Sequence, residues 1–227
     1  MMTIVENEEK LFEEWKLKRP GLIKDGVVNE ETFSKSKIKI LYLLKEVNGG
    51  VDWDLRKFIS EGARTQTWDN IARWTYGIQN LGKEVAWSEI SSFLLEWRKE
   101  QISSICAVNL KKISGGHTTV ANKLYAIAIE DKDLLKKQLE LYGADVIICC
   151  GSSVGDLYTN YLYKEENQQW RTTTRGVRYC TKGDSRFVIQ YAHPEARVND
   201  SLLYYGLIDA VKEIYGGGSP VQQYPVQ

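Results

Sequence analysis

Four short apolar runs punctuate the chain, at 38–44, 104–110, 145–150 and 186–192, and each gives way to polar or turn-forming residues. Runs of this length bounded by turn signals read as strands buried on both faces of a parallel sheet. The first lies in KIKILYLLKEVNGG (37–50), where Lys45, Glu46 and Asn48 follow the run and Gly49–Gly50 follow them. Between the runs the spacing is helical. Residues 4–19, with Leu11, Phe12, Trp15 and Leu17 set among Glu and Lys, predict a helix stopped by Pro20–Gly21. Residues 20–36 read as loop. Residues 51–100 hold no strand pattern and predict three amphipathic helices, around 53–59, 68–78 and 88–101. A single helix is expected over 121–141, with Gly143 as its stop, and a last one over 199–215.

Strands alternating with helices predict a right-handed α/β arrangement. The expectation is a three-layer α/β/α sandwich with a central, mainly parallel four-stranded sheet. One domain would span 1–215, with 51–100 as a helical insertion. The Gly/Pro/Gln-rich stretch 216–227 reads as a disordered tail.

Composition narrows the class without fixing a partner. The 227 residues are 43% hydrophobic and carry 30 basic and 30 acidic side chains, an ordinary globular balance. No apolar run is long enough to span a bilayer, so no membrane partner is expected. The acidic, polar first ten residues do not read as a secretory signal, and a cytoplasmic monomer is expected. Cys106, Cys149, Cys150 and Cys180 lack metal-ligand spacing, so they read as core thiols and no metal or cofactor is expected. Residues 164–186 are polar and hold Arg171, Arg175, Arg178, Lys182 and Arg186 beside Trp170 and Tyr179. Such a stretch either tracks a nucleic-acid backbone or forms a solvated hairpin.

Chemistry-capable residues gather at the strand ends, where ligands of open α/β sheets bind. Glu46 and Asn48 follow the first run, Asn109 ends the second, and His193 follows the fourth in a His-Pro dipeptide. Ser152 and Ser153 stand after Gly151 in a strand-to-helix turn that can offer backbone N–H groups to a phosphate. Each has a plainer alternative. Asn109 can cap a turn, His193 can be structural, and Glu46 can pair with Lys45.

In this order the motifs resemble the uracil-DNA glycosylase superfamily. LLKEVNGG stands where that superfamily has a polar loop, often Gly-Glu-Ala-Pro-Gly. SICAVNLKK stands where a strand ends in a base-reading asparagine, here Asn109. ELYGADVIICCGSSVG matches a strand ending in a glycine turn, and VIQYAHPEAR matches the final His-Pro motif at His193. The match runs over about 37–212. It departs at Lys45 and Asn48, which stand where the family has glycine and proline, and the iron–sulfur cysteines of some branches have no counterpart here.

The resemblance implies a DNA glycosylase that flips a base from duplex DNA and hydrolyses its N-glycosidic bond. His193 would donate to the leaving base, Glu46 would position water or stabilise the sugar cation, and Asn48 would join them as a catalytic residue. Asn109 would read the base edge, and Trp53 or Trp68 would stack on it. Arg197 would touch phosphate or fill the gap in the duplex. Lys111, Arg175 and Arg178, with Ser152 and Ser153, would hold the DNA backbone. The altered first loop and the five tryptophans of 51–100 (Trp53, Trp68, Trp74, Trp87, Trp97) point to a modified base, with glucosylated hydroxymethylcytosine of phage DNA, in antiviral defence, as the expected substrate. Excision of uracil or another deaminated base, a non-catalytic DNA-binding module and a hydrolase of free nucleosides stay open, and the tryptophans can equally be core.

Overall fold

The computed structural model describes residues 2–116, 118–183 and 185–216. In chain order the elements are α1 (Ile4–Lys16), β1 (Gly26–Val27), α2 (Glu30–Lys35), β2 (Ile40–Leu44), α3 (Leu55–Ser60), α4 (Thr65–Gln79), α5 (Trp87–Ile90), α6 (Leu95–Ser103) and β3 (Ile105–Asn109). They continue as α7 (Ala121–Glu130), α8 (Lys132–Leu141), β4 (Val146–Cys150), α9 (Ser152–Leu157) running into a π turn at Tyr158–Leu162, β5 (Arg171–Thr172), β6 (Arg178–Lys182), β7 (Arg186–Tyr191) and α10 (Asp200–Tyr215). His117 and the expected tail beyond Gly216 lie outside the described residues.

The fold is mixed α/β, built on one seven-stranded sheet of order β1-β3-β2-β4-β7-β6-β5. The four predicted strands are its parallel centre, β3-β2-β4-β7. The expected count of four is corrected by three short additions. β1 pairs antiparallel with β3 inside the predicted loop 20–36. β6 and β5 form an antiparallel hairpin on β7 at the other edge.

Strand alternation divides the core in two. Leu41 and Leu43 of β2, with Cys106, Val108, Ile147 and Cys149, face α1, α7, α8 and α9. Ile40, Tyr42 and Leu44, with Ile105, Ala107, Val146 and Ile148, face α3, α4, α6 and α10. The segment 51–100 is therefore the connection from β2 to β3 and, with α10, the helical covering of one sheet face. Trp74 is fully buried there, and Trp87 and Trp97 pack against the same core.

Two predicted helices are broken by long-range polar contacts. The helix over 121–141 divides at Asp131, whose buried carboxylate accepts from Arg19 Nε and Nη2 at 2.9 and 3.0 Å. The helix over 88–101 divides because Arg73 takes the carbonyls of Ile90 and Ser91, at 2.9 and 3.2 Å, out of the helical ladder.

β2 comes first among the parallel strands yet lies between its successors β3 and β4. The chain reverses direction across the sheet there, and the crevice outside the carboxyl ends of the strands opens at such a reversal.

Candidate functional site

At that crevice lies an open cleft of about 790 Å³, lined by 44–51, Trp53, Leu55, Phe58, Arg64, Thr67, Trp68, Asn109, Gly116, Thr119, His193 and Glu195. The fold thus brings Glu46, Asn48, Trp53, Trp68, Asn109 and His193 to one place, from sequence positions up to 147 residues apart.

The loops after β2 and β3 run side by side. Leu110 N–H donates to Leu44 O at 2.9 Å, Lys111 N–H to Lys45 O at 3.0 Å, and Gly115 N–H to Val47 O at 2.8 Å. This pairing sets Gly115 against the Glu46 carboxyl group, where a Cβ would lie 2.2 Å from Glu46 Cδ. Lys111 Nζ pairs with Glu46 Oε2 and donates to Ser114 O at 3.0 Å. Lys111, expected to contact DNA, thus has a buried side chain that is paired with the cleft carboxylate.

Asn109 is buried at the floor. Its backbone N–H donates to Asp25 Oδ2 at 2.7 Å and its Nδ2 to the same oxygen at 3.4 Å. The amide is thereby oriented, and no hydrogen bond among the described residues reaches its Oδ1. Asp25 belongs to a polar layer under the cleft. It accepts from Lys112 Nζ at 2.6 Å and Gln138 Nε2 at 3.0 Å. Gln138 Nε2 also donates to Tyr142 Oη at 2.9 Å, and Tyr142 donates to Glu8 Oε1 at 2.7 Å. Glu8 also accepts Val27 N–H at 2.8 Å and Arg56 Nη1 at 2.6 Å. Burial raises the Glu8 carboxyl to about 7 against the pull of Tyr142 and Arg56, and burial also lowers the Lys112 ammonium against the pull of Asp25.

His193 Nδ1 accepts Glu195 N–H at 3.1 Å. A neutral ring with Nδ1 occupied as acceptor carries its proton on Nε2. Burial lowers the affinity of the imidazole for a second proton; Glu195 opposes this, while Lys45 and Arg64 act in the same sense as burial. The loop behind His193 is tied to α4. Arg64 Nη2 and Thr67 Oγ1 both reach Glu195 Oε1, and Asn70 Nδ2 donates to Pro194 O at 2.9 Å.

Trp53 packs edge-on to Phe58, with ring centroids 5.8 Å apart, while Trp68 lines the cleft but is only 4% exposed. The sugar-stacking expectation for the whole tryptophan set narrows to these two, because Trp74, Trp87 and Trp97 are held by the core. The remaining expected DNA contacts lie outside the cleft. Arg197 lines a shallow groove beside it with Thr65 and Arg73. Ser152 and Ser153 begin α9 at the end of β4. Arg175, in the β5–β6 turn, pairs with Asp209 at 3.1 Å. Arg178 lies over the Trp170 ring, 5.2 Å from its centroid. The 164–186 stretch thus contains the hairpin of the second reading, its turn facing the same rim, because Arg178 pairs with Gln190 near the end of β7.

The sequence places Lys45 after the first run without a role in the site, and it does not single out Arg64, Thr67, Glu195, Asp25 or Lys112. Glu195 was signalled by its place two residues after His193; Arg64, Thr67, Asp25 and Lys112 become visible only through tertiary pairing. Among the described residues no group of three or more His, Cys, Asp or Glu could hold a metal ion, and no helix is long and apolar enough to cross a membrane. No protein-family model matches the chain, and no curated protein matches it.

Proposed function

We propose that the chain is a DNA glycosylase that extrudes a modified base and hydrolyses its N-glycosidic bond, leaving an abasic site. The observation that carries this reading is the convergence of His193, in its Nε2–H form, with Asn109 and Glu46 on one cleft at the strand ends. Asn109 offers Oδ1 to a donor on the base edge. His193 Nε2–H donates to a base carbonyl as the C1′–N bond breaks and its electron pair leaves with the base. A neutral donor is suited to this role, as it stabilises negative charge without first having to gain a proton. Water adds its oxygen to C1′ beside Glu46 and Asn48. Its proton is taken up at Glu46 Oε1, which carries no hydrogen bond among the described residues, and passes to solvent; the departed base is protonated from solvent. Trp53 supplies the stacking face that offsets part of the cost of extrusion.

The cleft volume, about 790 Å³, is that of a drug-sized ligand site and exceeds what one pyrimidine fills. This favours an enlarged base, and glucosylated hydroxymethylcytosine of phage DNA is the substrate we propose, in antiviral defence. The test is abasic-site formation on uracil-DNA, hypoxanthine-DNA, hydroxymethylcytosine-DNA and glucosylated phage DNA, with free nucleosides in parallel. Cleavage of the glucosylated DNA is expected. Cleavage of uracil-DNA alone refutes the substrate, and cleavage of nucleosides alone refutes the DNA partner. For that partner, Arg197→Glu or Arg178→Glu is expected to lower the slope of log affinity against log salt by about one unit each.

A further inference from the structure

The charges of the cleft do not cancel. Glu46 is matched by Lys111, and Glu195 by Arg64. Lys45 also lines the cleft, half-buried, and its ammonium has no hydrogen bond or ion pair among the described residues. Its position is well defined. It follows β2, whose neighbour on that side is β4, and its Cε and Nζ lie 3.6 and 4.0 Å from where a Cβ would stand on Gly151 at the end of β4. Gly151 in turn donates its N–H to Tyr191 O at 2.7 Å, at the end of β7, two residues before His193. Lys45 therefore reaches across the end of β4 toward the imidazole, and its charge is felt there.

We propose that Lys45 is the cation that stabilises negative charge on the departing base, and that the cleft is thereby suited to basic, poor leaving groups of the cytosine class. This rests on the glycosylase reading. When the C1′–N bond breaks, the electron pair goes to the base, and N1 of cytosine holds it less readily than N1 of uracil. A neutral imidazole supplies one hydrogen bond to that charge. An ammonium with no carboxylate of its own adds a full charge in a partly desolvated site, where such stabilisation acts mainly in the transition state. The alternative is a contact from Lys45 to a DNA phosphate, which would help every base equally.

Single-turnover cleavage separates the two. Native protein, Lys45→Met and Lys45→Arg are compared on duplexes carrying 5-fluorouracil, uracil or hydroxymethylcytosine at one position, with thermal unfolding of each protein. Lys45→Met is expected to lose at least about tenfold more rate on hydroxymethylcytosine than on 5-fluorouracil, with an unchanged salt slope, and Lys45→Arg to keep most of the rate. If native protein cleaves only hydroxymethylcytosine or only glucosylated phage DNA, the variants are compared on that DNA, and the same support is a large loss in Lys45→Met that Lys45→Arg restores at an unchanged salt slope. An equal loss on every base with the salt slope lowered by about one unit overturns the proposal in favour of a phosphate contact. No loss in a folded Lys45→Met protein overturns it outright. A native protein that forms no abasic site on any of the duplexes or on glucosylated phage DNA removes the glycosylase reading, and this inference with it.

Discussion

The cleft and the polar layer beneath it are made of the same residue types and obey opposite rules. Below Asn109, the charges of Asp25, Lys112, Glu8 and Arg56 are all matched by short hydrogen bonds. Above it, neither Asn109 Oδ1 nor the Lys45 ammonium has a hydrogen-bond or ion-pair partner among the described residues, and His193 Nε2–H faces a cleft rather than a core. Burial without partners is costly, so the paired charges of that layer hold the floor in place, although Gln138 Oε1 within it has no hydrogen-bond partner among the described residues. Incomplete pairing at the rim leaves groups for a ligand to complete. Asn109 belongs to both regions, bound from below and open above.

The largest effect should come from splitting the charge pairs of that layer. Lys112→Met leaves the Asp25 carboxylate buried without its cation and is expected to cost about 3–5 kcal/mol in denaturant unfolding. Asp25→Asn with Lys112→Met should recover most of that loss. A neutral single variant would end the contrast.

His193→Ala should do the reverse, lowering abasic-site formation by about a thousandfold while changing unfolding free energy by no more than about 0.5 kcal/mol. Loss of folding would move His193 into the structural class.

Asn109→Ala should register in both assays. Cleavage is expected to drop by roughly a hundredfold with weakened base discrimination, and stability by about 1 kcal/mol. An effect confined to one assay would assign Asn109 to one region only.

The remaining effect is a pH dependence of stability. The folded-state pKa of Glu8, about 7, is above its ordinary value of 4.5, so between these values the folded protein holds a proton that the unfolded chain has released. Its contribution is complete below 4.5 and is lost as pH rises through about 7. Unfolding free energy should decline by about 1–3 kcal/mol between pH 5 and 8, and Glu8→Gln should flatten that decline. Equal slopes in the two proteins would show that Glu8 stays ionised beside Arg56.

Much of this architecture was legible in the chain because the four central strands are buried on both faces, and double burial writes itself as an unbroken apolar run. β1 was not legible, since two residues, Gly26 and Val27, make no pattern. The breaks at Asp131 and after Ile90 were hidden because their causes, Arg19 and Arg73, lie far off in sequence. In the site, Glu46, Asn109 and His193 stood out as polar residues directly after strands. Which lysine pairs with Glu46 did not. Lys45 adjoins it in sequence, but strand geometry turns adjacent side chains apart, and the register of two neighbouring loops brings Lys111 instead.

The place of β2 in the sheet also sets a schedule for synthesis. It is the first parallel strand to emerge, yet its two neighbours arrive only with β3 and β4, the latter roughly a hundred residues later. At ~5–20 residues per second an apolar five-residue strand waits about 3–13 s with both edges unpaired and about 5–20 s before the second is filled. That is an invitation to intermolecular pairing. Lys37 and Lys39 before it, and Lys45 and Glu46 after it, are placed as gatekeepers against that hazard, so the residues that later frame the cleft first guard the nascent chain.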